Sequence, residues 1–107
     1  MNKLNNSVQL IGRLGADPEI KMLNNNLKVA RMRLVTNEHY YNKAGEKVED
    51  AQWHTLVAWG GLADVCEKHL TKGQEIAIEG KLYYRSYTDK NQNRQFITEI
   101  TVNDLLM

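Results

Sequence analysis

The chain has one cysteine and one proline in 107 residues, and its charges nearly cancel, leaving a formal +1. A lone thiol, Cys66, closes no internal disulfide, so this fold stands on packing alone, with Cys66 as a small core residue. There is no C-x-x-C spacing, and His39, His54 and His69 are scattered, so no structural zinc signature is present. No apolar run approaches the roughly 18 residues of a membrane span. The stretch MNKLNNSVQL carries one lysine and no continuous apolar segment of the kind a secretion signal uses. The expected address is therefore the cytoplasm. No Ser, His and acid grouping has recognisable context, and neither a G-x-x-x-x-G-K loop nor H-E-x-x-H occurs. Catalysis, a cofactor and a bound metal are accordingly not expected.

What remains is an ordinary soluble composition, 42% hydrophobic and 25% charged, at the length of one domain spanning residues 1–107. So short a chain buries only about two-thirds of its unfolded surface. Association with further copies is a natural remedy.

Apolar alternation outlines the elements. SVQLIGRLG, residues 7–15, is a first strand, and Gly12 inside its pattern marks a bulge or a close backbone approach. GADPEIKMLNNN follows, with Pro18 and an asparagine turn at 24–26. LKVARMRLVTN is a second strand, with Ala30, Met32 and Leu34 on one face and Val29, Arg31, Arg33 and Val35 on the other. The polar EHYYNKAGEKVEDAQ is expected to form a long hairpin loop. In AQWHTLVAWGG, a third strand, Trp53, Thr55, Val57 and Trp59 share a face opposite His54, Leu56 and Ala58. Leu62, Val65, Cys66, His69 and Leu70 then fall on one helical face, closed by Lys72 and Gly73. A fourth strand runs from Glu75 through Tyr87, TDKNQNRQ is a hairpin loop, and FITEITVN is a fifth strand.

Three strands, one helix and two strands is the order of an OB-fold, an all-β, five-stranded Greek-key barrel with its helix between strands 3 and 4. The strand 2 and 3 face of such barrels binds oligonucleotides or oligosaccharides. All eight aromatic residues lie after position 39, most of them where that face and its flanking loops belong. Flat rings on which bases stack, with cations beside them for phosphates, are what a single-strand binder needs. Arg31, Arg33, Lys43, Lys72 and Arg85 are the candidate phosphate contacts. The alternatives are plain: the indoles are core, and the arginines are a solvated face.

Several segments point further. LIGRLGADPEI, WHTLVAWGGLADV, LTKGQEIAIEGKL and YTDKNQNRQFITEITVN occur in the order, and with the content, of the bacterial single-stranded DNA-binding protein family, which the chain resembles over nearly its whole length. The resemblance implies base stacking by Tyr40, Trp53, Trp59 and Tyr87. Tryptophan is frequent in the family at the positions of Tyr40 and Tyr87, and phenylalanine at that of Trp59. A basic residue of the family is replaced here by Thr55.

The resemblance also implies self-association, a homotetramer with a dimer as the alternative, in which first strands pair across a dimer. Val8, Leu10 and His54 are then expected at subunit contacts, while His54 as an ordinary inward-facing histidine is the competing assignment. The implied function is non-catalytic, largely sequence-independent binding of single-stranded DNA on the nucleoid in replication, recombination and repair. A tail-less dimeric primosome-type OB protein and an RNA- or oligosaccharide-binding OB module are the rivals. Family members usually carry an acidic-tipped tail that recruits other proteins; the residues after VNDLLM that would form one are expected to be absent, so recruitment of that kind has no support in this sequence.

Overall fold

The computed structural model describes residues 5–107. The single-domain expectation for 1–107 therefore includes four residues outside the described part. The elements are β1 (Val8–Leu14), β2 (Glu19–Met22), β3 (Lys28–Tyr41), β4 (Lys47–Trp59), α1 (Gly61–His69), β5 (Glu75–Thr88) and β6 (Arg94–Leu106). The five long strands follow the order β1-β5-β6-β4-β3, and pairing of β1 with β3 closes them into a barrel. All pairs are antiparallel except β4 with β6, joined in parallel at Leu56 with Ile100 and Val57 with Thr101. This is the expected OB arrangement. The addition is β2, which pairs only with β3 and lies outside the ring.

Closure depends on Gly12. A Cβ there would collide with the Val35 carbonyl oxygen, so the close approach anticipated from the sequence is real and lies where β1 turns onto β3. Inside, alternation puts Leu14, Met32, Leu34, Leu56, Ile76, Ile78, Ile100 and Val102 into one core. The helix seals the core with Ala63 and Cys66, both fully buried. Burial pushes the Cys66 thiol up to about 11. Lys28 Nζ reaches Asp64 Oδ1 and Glu67 Oε1, each at 2.6 Å, and ties the helix to β3. These hydrogen bonds raise the Lys28 pKa and lower that of Asp64. The helix stops at His69, earlier than its apolar pattern suggests, because Leu70 is extended while still filling the core.

The long loop expected over EHYYNKAGEKVEDAQ is strand except for a turn at residues 42–46, whereas the hairpin loop expected at TDKNQNRQ is present as a turn at residues 89–93. Strands β3 and β4 stay in register to Tyr41 and Lys47, and β5 and β6 to Thr88 and Arg94. Each hairpin closes with the same five-residue turn. Asn42 Oδ1 accepts from the N–H groups of Ala44 and Glu46, with Gly45 at φ 80°. Asp89 Oδ1 accepts from those of Asn91 and Asn93, with Gln92 at φ 61°. Short side chains that bond the backbone two residues on are the known makers of such turns.

Candidate nucleic-acid interface

The outer barrel face over β3, β4, β6 and β5 is built by the register. Arg31 pairs with Val57, Val57 with Thr101, and Thr101 with Lys81, so these four form one row across four strands. Side chains at steps of two along each strand extend the face: Arg33, Trp53, Thr55 and Trp59, then Glu99, Tyr83, Arg85 and Tyr87.

The indoles are not core. Trp53 is 52% exposed and Trp59 44%, while Leu56 and Ala58 on the opposite face of the same strand are fully buried. Tyr40 and Tyr87 are 55% and 51% exposed. Tyr40 lies on the core side of β3 by alternation and Tyr41 on the indole side, but beyond the barrel mouth neither face is covered.

Trp53 is held from below and from the side. A Cβ at Gly15 would collide with its six-membered ring, so the indole rests directly on that backbone. The Arg33 guanidinium lies 5.5 Å from the indole ring centroid, within cation-π range. Gly73 N–H donates to the Leu14 carbonyl and Lys72 N–H to Asp17 Oδ1, which seats the turn bearing Lys72 against the segment that carries Gly15.

Two expected phosphate contacts have a protein partner that the sequence did not reveal. Glu99 is 4% exposed, and its Oε2 meets Arg31 Nη2 at 2.7 Å and Arg85 Nη2 at 3.0 Å. One carboxylate against two guanidiniums leaves a net positive centre on the face. It also stiffens both arginines. The available signal was that Glu99 alternates onto the Thr101 face of β6, opposite Ile100 and Val102. Lys43, in contrast, stands at the tip of the β3–β4 hairpin, separate from this group. Thr55 contributes no charge to the face.

For the expected subunit contacts the geometry is mixed. Val8 and Leu10 are half-buried and pack against the barrel core, whereas Ile11 on the other face of β1 is 69% exposed. A groove of about 550 Å³ runs beside Ile11, with Leu10, Ala77, Leu105 and Leu106 among its walls. Along Val8–Gly12, β1 bonds only to β5, so its second edge has no strand partner among the described residues. His54 faces the core side, half-buried, its Nε2 2.9 Å from Thr36 Oγ1. Among the described residues no group of three or more potential metal ligands occurs, and no helix is long and apolar enough to cross a membrane.

Comparison with known proteins accords with this face. The model of the single-strand binding protein family matches residues 5–107. The chain is 41% identical over 103 residues to single-stranded DNA-binding protein 1 of Chlorobaculum tepidum, covering 95% of this chain and 64% of that protein. It is 38% identical over 103 residues to single-stranded DNA-binding protein 1 of Xylella fastidiosa, covering 95% and 76%. A solved structure described as the Plasmodium falciparum SSB complex with ssDNA superposes with a TM-score of 0.88 at 34% identity, over 94% of this chain and 92% of that one.

Proposed function

The chain belongs to the single-strand binding protein family, and we propose that it coats single-stranded DNA without catalysis and with little sequence preference. The observation that carries this is the exposure of every aromatic ring in the chain, 44% or more for each, with none spent on the core. Large aromatics dominate core energetics where they are buried, so a barrel that leaves Trp53, Trp59, Tyr40 and Tyr87 outside holds them for a ligand with flat faces. Bases stack on Trp53, Trp59, Tyr40 and Tyr87. The phosphates run past Arg33, Lys43, Lys72 and the Arg31 and Arg85 pair. In the cell this serves DNA replication, recombination and repair in the cytoplasm, on the nucleoid.

Self-association completes the assembly. The edge of β1 that has no strand partner among the described residues and the apolar groove beside Ile11 support pairing of first strands between copies, with a tetramer as the favoured end state. Mass measurement in solution separates tetramer, dimer and monomer.

The function itself is tested by titrating poly(dT) while following tryptophan fluorescence, with RNA and an oligosaccharide as competitors. Quenching by poly(dT) that neither competitor reverses at equal concentration is expected. Preferential displacement by RNA or sugar would assign the face to that ligand instead.

A further inference from the structure

We propose that the cleft between Trp59 and Tyr83 is a nucleotide subsite in which Tyr83 is a further stacking ring and Lys81 a further phosphate contact. This rests on the assignment of the outer face to single-stranded DNA. The cleft holds about 280 Å³, and Val57 and Thr101 lie along its floor. Small-molecule sites begin at about 300 Å³; the cleft falls just short of that, which leaves room for one base with its phosphate outside.

Three observations make it a site rather than a gap between side chains. First, the register sets Trp59 and Tyr83 on opposite sides of the row formed by Val57, Thr101 and Lys81: Trp59 is two residues beyond Val57, while Tyr83 is level with Glu99, two residues before Thr101. The rings therefore flank an apolar and hydroxyl-bearing floor. Second, Tyr83 is 51% exposed on the solvent side of a closed barrel, so it covers no core; its ring contributes to this cleft. Third, the cations differ in availability. Arg85 at the cleft wall is already engaged by Glu99, whereas Lys81 is exposed and has no ion-pair partner among the described residues. An incoming phosphate meets Lys81 without breaking an existing contact.

The neighbouring residue supplies the control. Tyr84 is 70% exposed but alternates onto the opposite face of β5, away from the cleft. Tyr83→Thr keeps a strand-compatible side chain and removes the ring, and Tyr83→Phe keeps the ring. Base stacking is typically worth about 1–3 kcal/mol, so Tyr83→Thr is expected to weaken oligo(dT) binding about tenfold. Tyr83→Phe and Tyr84→Thr are expected to bind like the parent. Lys81→Thr is expected to flatten the slope of log affinity against log salt by about 0.7, the value for one single-strand phosphate contact. Independently, irradiation of the parent bound to iodouracil-substituted oligo(dT) is expected to cross-link Tyr83, located by peptide mass. If Tyr83→Thr binds like the parent and no cross-link reaches Tyr83 while Trp53→Thr still weakens binding, the subsite is wrong and the face assignment stands. If the parent itself fails to bind oligo(dT), both fall together.

Discussion

The indole of Trp53 lies directly on the backbone of Gly15, with no room between them for even a methyl group. Gly15 lies just beyond the end of β1, and its own N–H donates to the Arg33 carbonyl at 2.9 Å, so the segment beneath the ring is pinned by the strand that carries its cation partner. The seating of this exposed ring is thus a property of the barrel seam. Gly15→Ala is expected to leave the fold intact and to tilt the indole. Affinity for oligo(dT) should fall several-fold, with a shifted tryptophan emission maximum in the free protein. Unchanged emission and affinity would show that the ring is not seated there.

Glu99 gathers Arg31 and Arg85 on one buried oxygen. Its replacement by Gln keeps the shape and removes the charge, so two guanidiniums face each other without a counter-ion. Hydrogen bonds to charged groups are worth about 1.5–3 kcal/mol. Both arginines are a third or more exposed, and water screens their mutual repulsion. Glu99→Gln is therefore expected to lower the melting temperature by a few degrees while steepening the salt dependence of DNA binding, because both cations are released toward phosphate. A variant with unaltered melting and salt slope would show that Glu99 does not restrain the two arginines.

Much of this architecture was legible in the sequence, and the exceptions share a cause. Strands with one buried face announce themselves by alternation, as Ala30, Met32 and Leu34 do against Arg31 and Arg33. Beyond the barrel mouth both faces of the β3–β4 and β5–β6 hairpins meet water, so Glu38–Tyr41 and Lys47–Asp50 show no apolar period and read as loop. The Arg31, Glu99 and Arg85 cluster is assembled from three strands distant in sequence, and only the sheet order brings it together. Whether Trp53 and Trp59 were core or surface was likewise open, since alternation establishes a shared face without saying which side of the sheet is covered.

The turn at Asp89 predicts a pH effect. Hydrogen bonds from backbone N–H groups, that of Asn93 above all, hold its carboxyl below the ordinary carboxylate value. A depressed acid stabilises the turn above the unfolded pKa of about 3.9 and loses that contribution as pH falls through the folded value. The amide signals of Asn91 and Asn93 should therefore shift with a midpoint below pH 3.8. In Asp89→Asn the turn should persist, as Asn42 maintains its counterpart, and the titration should vanish. A midpoint at or above the ordinary value would contradict these bonds.

Cys66 predicts a second, alkaline dependence. Its thiol is raised from 9.0 to about 11 by burial. The unfolded chain ionises first, so stability is expected to be flat well below pH 9.0 and to decline as pH rises through that value toward the folded one. In the native protein at neutral pH the thiol should resist alkylation and become reactive only on unfolding. Rapid native labelling would place it at the surface.

If the uncovered rings on the barrel's outer face receive unpaired bases, each indole must respond to them on its own. Trp53→Thr and Trp59→Thr each leave a single indole, and oligo(dT) titration of the two variants reads each ring separately. Quenching of the remaining indole in both, with affinity reduced about 5- to 150-fold as expected for one lost stack and weakened further by salt, is the predicted result. Saturable binding that leaves either indole's emission unmoved would contradict it.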